Sequence, residues 1–161
     1  MAADRQVSET REVNLGECIA DIASSLQPQA KHAGIALETD CIPDLPCNID
    51  PGALAQVLTN LVMNALMHAF GTSESGTITV TLAREDQVAV ITVSDNGCGM
   101  PADVRDKIFD PFFTTKRGSG GTGLGLHIVY NIVRARLSGT ISVDSALGQG
   151  TRVTVTLPDA V

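Results

Sequence analysis

Apolar residues recur at helical spacing in two long segments of the chain. The segment 15–31 carries one every three or four positions and follows Asn14, a residue type that caps helices. The segment 51–69 has a wider apolar stripe, and Asp50 and Pro51 suit its N-cap and first helical position. Both patterns predict helices that bury one face.

Two further helices are predicted later in the chain. They cover 101–108 and 123–137, and a loop over 109–122 separates them. Pro28 is expected to kink or interrupt the first long helix, because proline lacks an N–H donor.

Alternation of apolar and polar residues predicts strands over 35–40, 47–49, 76–83, 87–94, 139–144 and 151–157. In the third of these, Ile78, Val80 and Leu82 share one face, and the threonines between them share the other. Such alternation is typical of a sheet with one face in water. We therefore predict an α+β fold, a two-layer α/β sandwich with helices on one face of a mixed, mostly antiparallel sheet.

Composition fits one compact domain. The chain has 161 residues, 43% of them hydrophobic, and residues 1–13 are polar without a period. We expect 1–13 to be a connector or frayed end and 14–161 to be the domain. Apolar runs fall short of the about eighteen residues of a membrane span, and the N-terminus lacks a signal-peptide pattern, so we expect a cytoplasmic location.

Charge and cysteines exclude some classes of partner. A net charge of −7 argues against duplex nucleic acid, which requires clustered cations. The four cysteines form no C-x-x-C pair, and we expect them to be reduced structural thiols.

Two glycine-rich stretches, 95–101 and 118–126, carry the first functional signal. Glycine lets backbone N–H groups approach a ligand closely, and such groups bind anions, above all at a helix N-terminus. This pattern favours a nucleotide.

Asp95 ends a predicted strand and shares its parity with Ala89, Ile91 and Val93. Its carboxylate should therefore point between sheet and helices, where it needs a hydrogen-bond partner such as an adenine amino group. Thr151 shares the corresponding face of its own strand. The alternative role for Asp95 is that of a turn residue that caps the two residues after it.

A polar column runs along the second long helix. Gln56, Asn60, Asn64 and His68 are spaced one turn apart. Amide oxygens suit Mg²⁺, although a solvated helix face is the alternative. Lys116 could pair with terminal phosphates or be solvated.

Four ordered motifs resemble a known family. They are NLVMNA at 60–65, DNGCG at 95–99, FDPFF at 109–113 and GTGLGL at 121–126. The chain resembles the N, G1, F and G2 boxes of sensor histidine kinases, in their catalytic and ATP-binding domain, and GQGT at 148–151 resembles the ending of that domain. The wider superfamily includes gyrase, heat-shock chaperones and mismatch-repair proteins.

The resemblance implies a Bergerat-type sandwich that binds MgATP under a lid at about 100–122. It implies γ-phosphoryl transfer to a histidine on a separate dimerisation domain and then to a response regulator. It assigns catalytic roles to Asn60, Asn64 and Lys116, and metal binding to Asn64 and Asn60. The implied nucleotide contacts are Asn64, His68, Asp95, Gly97, Gly99, Gly121, Thr122, Gly123, Leu124, Gly125, Leu126 and Thr151.

Asn60 separates a kinase from a hydrolase. In hydrolysing relatives this position, one turn before the metal-binding Asn, is a Glu that activates water, and an amide cannot accept that proton. A kinase needs chiefly positioning, metal and charge neutralisation from this domain.

Two features depart from the family pattern. Met67 stands where many members have a phosphate-binding Lys, a role that His68 or Lys116 could take. The acceptor histidine should precede an acidic residue, and none of the three histidines, His32, His68 and His127, does so. We therefore expect a catalytic part of a longer sensor, monomeric by itself and dimeric in the full protein.

The sequence also allows comparison with other classes of nucleotide-binding protein. G-x-G-x-x-G occurs at 118–123, but the preceding segment is no buried strand, so a dinucleotide fold is disfavoured. No G-K-[ST] follows a glycine loop, which excludes a P-loop. An ATPase clamp would hydrolyse ATP without an acceptor. A silent sensing or docking module would bind nucleotide or a partner without labelling any histidine.

Overall fold

The computed structural model describes residues 10–70, 75–109 and 124–158. Its helices are α1 (Leu15–Ala33), α2 (Pro51–His68), α3 (Ala102–Arg105) and α4 (Leu124–Ala135). Its strands are β1 (Arg11–Asn14), β2 (Ile35–Cys41), β3 (Pro46–Ile49), β4 (Gly76–Glu85), β5 (Val88–Asp95), β6 (Thr140–Ser145) and β7 (Thr151–Leu157).

Five strands form one sheet in the order β2-β4-β5-β7-β6. The β2–β4 pair is parallel and the other pairs are antiparallel. Helices α1, α2 and α4 pack on one face, with α2 between the other two. The predicted α+β sandwich with a mixed, mostly antiparallel sheet is confirmed.

A second, two-stranded sheet joins β1 to β3. Residues 11–13, which we expected to belong to a connector or frayed end, form β1 together with Asn14. The local pattern hides this strand because only Val13 is apolar, and the pairing with β3 comes from residues 30 or more positions away. Residues 1–9 lie outside the described part of the chain, and the domain boundary at residue 14 stays a prediction.

Both long helices begin at the predicted caps. The Asn14 side chain accepts a hydrogen bond from the Gly16 N–H at 3.0 Å. Asp50 Oδ1 accepts from Gly52 and Ala53 at 3.0 and 3.2 Å. These bonds satisfy N–H groups that lack a partner within the helix.

The expected interruption of α1 at Pro28 is absent, since the helix runs from Leu15 to Ala33. Pro28 is exposed, so water can reach the carbonyl that it leaves without a donor. α1 ends instead at Gly34, which has a φ of 76° in the left-handed region.

The third helix, α3, is shorter than the predicted 101–108. After Asp106 the backbone bonds join residues three apart, such as Lys107 N–H to Val104 O at 3.0 Å, so the segment continues as tight turns.

The core lies between the helices and one sheet face. Ile78, Val80 and Leu82 of β4 are buried, and the threonines between them are only half-buried on the other face. This confirms the alternation that the sequence predicted. In α2 the buried residues are Ala53, Leu54, Val57, Leu58, Leu61 and Val62.

A buried ion pair links the start of α2 to the residue after α4. Arg136 Nη2 donates to Asp50 Oδ2 at 2.8 Å, and Asp50 is 4% exposed. From its place in the sequence, Asp50 is predictable only as a helix cap. The pair fixes the two helices that border the candidate site.

Candidate nucleotide-binding site

A cavity of about 250 Å³ opens between α2, the loop that follows β5, and α4. Most of its lining is apolar, with Leu61 and Ala65 from α2, Val93 from β5 and Leu126 from α4 among the contributors. Ala65 is only half-buried, although it belongs to the apolar stripe of α2, because it faces this opening. An apolar cavity with few polar groups is the usual form of a small-molecule site.

The polar end of the cavity is the last row of the inner sheet face. Asp95 of β5 is paired in register with Thr151 of β7, and Thr151 with Ser145 of β6. Asp95 and Thr151 line the cavity, as their parity along the strands predicted. Deeper rows, such as Val93 with Val153, are apolar. The sheet therefore presents its inward polar groups at one edge.

The Asp95 carboxylate caps the turn that follows it and also lines the cavity. Its Oδ1 accepts a hydrogen bond from the Gly97 N–H at 2.9 Å, which caps the turn. Burial raises the pKa of Asp95 above its usual value, and backbone hydrogen bonds from Gly97 and Thr151 lower it less. A half-desolvated acceptor of this kind favours a ligand that donates a hydrogen bond.

The glycines of the loop after β5 are required by protein packing. A Cβ on Gly97 would lie 2.2 Å from the Ala69 carbonyl oxygen. On Gly99, which has a φ of 71°, it would lie 2.0 Å from the Ala146 carbonyl oxygen. We expected these glycines to admit a phosphorylated ligand, but their close neighbours are backbone atoms of this chain. Gly99 does line the cavity, whereas Gly97 is not among its lining residues.

Backbone bonds fix the same loop on two sides. The Cys98 N–H donates to the Ala69 carbonyl at 2.8 Å, and the Cys98 carbonyl accepts from the Gly148 N–H at 2.8 Å. The Met100 N–H donates to Ser145 Oγ at 2.8 Å. The loop thus bridges the end of α2 and the β6–β7 hairpin.

The polar column of α2 reaches the cavity with two of its members. Asn64 and His68 line it, whereas Asn60 does not and Gln56 is exposed. Asn60 lies one turn further from the C-terminal end of α2, about 5–6 Å along its axis. Asn64 Nδ2 donates to the Asn60 backbone oxygen at 2.8 Å, which leaves the Asn64 amide oxygen as an acceptor.

Several predicted contacts fall in or beside the glycine stretch at 118–126. Lys116, Gly121, Thr122 and Gly123 lie outside the described residues. Leu124 and Gly125 begin α4. Leu126 lines the cavity, and its contact with a nucleotide stays a prediction.

Sequence reasoning missed residues at the cavity edge. Cys98, Met100 and Val104 line it, and Ser145 bonds to Thr151. Ser145 shares its strand parity with Ile141 and Val143, a signal that could have identified it.

No cluster of three or more metal-binding His, Cys, Asp or Glu side chains occurs within 10–70, 75–109 and 124–158. Among these same residues, no helix combines the length and apolarity needed to span a membrane.

The sandwich with a cavity between its helical layer and the edge of its sheet agrees with a family comparison. A family model described as "Histidine kinase-, DNA gyrase B-, and HSP90-like ATPase" matches residues 49–161. The chain belongs to this ATPase family.

Curated relatives narrow the kind of protein that the chain resembles. It is 33% identical to the sensor histidine kinase RppB of Synechocystis over 150 residues, which cover 88% of this chain and 32% of RppB. It is 44% identical to the sensor histidine kinase ZraS of Escherichia coli K12 over 119 residues, which cover 74% of this chain and 24% of ZraS. The chain thus spans a third or less of the length of these relatives.

Solved structures show the same fold. The catalytic domain of histidine kinase ThkA has a TM-score of 0.82 and 31% identity, covering 94% of this chain and 96% of that one. Full-length ShkA, solved in complex with AMPPNP, has a TM-score of 0.83 and 29% identity, covering 96% of this chain and 32% of that one.

Proposed function

We propose that this chain binds MgATP and donates the γ-phosphate to a histidine on a separate dimerisation domain, which passes it to a response regulator. The observation that carries this proposal is the polar edge of the cavity, where Asp95 and Thr151 stand beside an otherwise apolar surface. This edge suits the adenine base, because the ring faces are apolar and the amino group is a donor.

The size of the cavity fits the base better than a whole nucleotide. Its volume is about 250 Å³, whereas typical ligand pockets have volumes of about 300–1,000 Å³. We place the phosphates toward the N-terminus of α4, where free N–H groups and the helix dipole favour anions. Gly121, Thr122, Gly123 and Lys116 are proposed to contribute there.

The metal is proposed to enter with the nucleotide. The Asn64 amide oxygen is an uncharged oxygen donor of the kind that Mg²⁺ accepts, and Mg²⁺ usually keeps several waters and binds substrate phosphates. The described residues contain no carboxylate cluster that would hold Mg²⁺ alone. When bound, the ion would neutralise phosphate charge. Asn60, which does not line the cavity, is the weaker candidate ligand.

Transfer to histidine is favoured over hydrolysis by Asn60. An amide at this position cannot act as the base that activates water. The partners are proposed by comparison: the relatives are named sensor histidine kinases, and ThkA has been solved in complex with the response regulator TrrA. We also propose a cytoplasmic location and a monomeric state for this chain alone.

The test combines binding with turnover. Calorimetric titration of MgATP into the chain should show saturable binding, and free phosphate should then stay near the uncatalysed background. Adding the histidine-bearing dimerisation domain of a relative such as ZraS, with γ-labelled ATP, should give an acid-labile, base-stable phosphoprotein. Asn64→Ala should lose this Mg²⁺-dependent labelling, whereas the exposed Gln56→Ala on the same helix should retain it.

Other outcomes would support the competing classes. Sustained phosphate release without an acceptor would favour an ATPase clamp. Nucleotide binding without labelling of any histidine would favour a silent sensing or docking module, and absence of nucleotide binding would indicate a degenerate module; either result would overturn the proposal.

A further inference from the structure

Ser145 makes more polar contacts than any role assigned so far requires. Its hydroxyl oxygen accepts from the Met100 N–H at 2.8 Å, donates to the Gly150 carbonyl at 2.9 Å and lies 2.9 Å from Thr151 Oγ1. Ser145 ends β6 and does not itself line the apolar cavity, whereas Met100 and Thr151 do. It therefore reaches the cavity through its neighbours.

The direction of these bonds follows from the number of protons. A serine hydroxyl has one proton to donate and two lone pairs that accept. The Gly150 carbonyl can only accept, so it takes the Ser145 proton, and the Met100 N–H fills one lone pair. The remaining contact requires Thr151 to donate its own proton to Ser145.

Because the Thr151 hydroxyl donates its proton to Ser145, it can act toward the cavity only as an acceptor. Its strand partner Asp95 is also an acceptor when ionised, with Oδ1 already bonded to the Gly97 N–H. The polar edge of the cavity then offers two acceptors and no hydroxyl donor from Thr151. A ligand edge with N–H donors is favoured there, and a carbonyl is disfavoured, because it would face lone pairs.

We infer that Ser145 is a positioning residue that fixes the Thr151 hydroxyl as an acceptor and so sets the preference of the cavity for a base with a donor at this edge. The inference rests on the proposed nucleotide function and adds a residue that determines its specificity. A 6-aminopurine satisfies this edge, whereas a 6-oxopurine presents a carbonyl in place of the amino group.

The experiment compares the dissociation constants of ADP and inosine diphosphate. Their bases differ in the group at position 6, amino or carbonyl, and in the proton that hypoxanthine carries on N1. In Ser145→Ala the Thr151 hydroxyl is free to turn its proton toward the cavity. The preference for ADP over inosine diphosphate should then fall about threefold to tenfold, the equivalent of one hydrogen bond. Ser142→Ala is the matched control, since Ser142 lies on the same strand but is exposed on the opposite face.

A double-mutant cycle tests whether Ser145 acts through Thr151. In a Thr151→Val background, Ser145→Ala should leave the ADP preference unchanged. Ser145→Cys keeps a small side chain with a weak hydrogen-bonding group and should also narrow the preference, which keeps the test valid if the alanine variant fails to fold. Thermal melts of each variant separate folding from specificity.

Each result decides the matter. An unchanged ADP preference in folded Ser145→Ala or Ser145→Cys would overturn the inference alone, as would an equal effect of Ser145→Ala with and without the Thr151 hydroxyl. Failure of the unsubstituted chain to bind either nucleotide would overturn the proposed function, and this inference with it.

Discussion

Asp95 carries a cost to stability that its proposed role explains. Burial raises its folded-state pKa, so the ionised carboxylate is less favourable in the folded chain than in the unfolded one. Its contribution to stability is therefore greatest below the unfolded pKa and is lost as the pH rises through the folded pKa. An ionised Asp95 therefore lowers the stability of the folded chain.

Asp95→Asn tests whether Asp95 lowers the stability of the chain while it supports adenine binding. Asparagine can still accept from the Gly97 N–H but turns an N–H donor toward the ligand, so adenine-nucleotide affinity should fall about tenfold or more. The melting temperature at pH 7 should equal or exceed that of the unsubstituted chain, and the gap should close in acid. Asp103→Asn, at an exposed position, is the control. Unchanged ATP affinity would refute the adenine assignment.

A comparison of substitutions at Gly99 and Gly148 distinguishes the cost of backbone strain from the cost of close packing. Both have a left-handed φ, 71° and 77°, but only Gly99 has an atom within 4 Å of an added Cβ. Gly148→Ala should therefore cost about 1 kcal/mol in the free energy of unfolding. Gly99→Ala should cost at least about 1 kcal/mol more, since a carbonyl must move. Denaturant unfolding measures both, and equal costs would contradict the packing argument.

At the scale of elements, a buried charge pair holds α2 against the end of α4. Arg136→Met should destabilise the chain by about 3 kcal/mol, because it removes the guanidinium that pairs with the buried Asp50 carboxylate. Arg134→Met, at an exposed position in the last turn of α4, should change stability little.

The double variant Asp50→Asn with Arg136→Met tests whether removing the Asp50 charge restores part of the lost stability. Asparagine keeps the N-cap and carries no charge for Arg136 to balance, so this variant should be more stable than Arg136→Met alone. A greater loss of stability in the double variant would show that the ion pair is not the source of the effect. Urea unfolding curves give both values.

Elements with strong local patterns were predictable from sequence, and pairings over long distances were not. α2 begins at its predicted cap, and strand parity placed Asp95 and Thr151 on one face, because both depend on neighbouring residues. The parallel pairing of β2 with β4, the strand β1 and the Arg136 bond to Asp50 depend on residues far apart in the chain. Nothing in a local window encodes them.

The residues of the candidate site also fall into two groups, those that local sequence predicts and those that depend on distant contacts. Strand parity predicted that Asp95 and Thr151 point between sheet and helices, where both line the cavity. Helical spacing predicted only that Asn64 and His68 share one side of α2, and the family resemblance implied their place in the site. The role of Ser145 follows from three hydrogen bonds to separate segments, which no periodicity reveals.

For the whole molecule, nucleotide binding should appear as added stability. At an ADP concentration of about 100 times the dissociation constant, ligand binding contributes about 2.7 kcal/mol. For a domain of this size that corresponds to an increase in melting temperature of roughly 5–10 °C. Scanning calorimetry with and without ADP measures it, and Asp95→Asn should show a much smaller shift. A chain whose melting temperature ignores ADP would contradict the proposed function.

The double use of one carboxylate constrains how this site can change its preference. Asp95 shapes the turn at Gly97 with the same side chain that faces the cavity. A substitution that suits a different base but lacks an acceptor would also distort the loop that holds Met100 and Cys98. Protein engineers who wish to redirect the site toward oxopurines should therefore keep an acceptor at position 95 and alter Thr151, since Ser145 also holds the Met100 N–H of this loop.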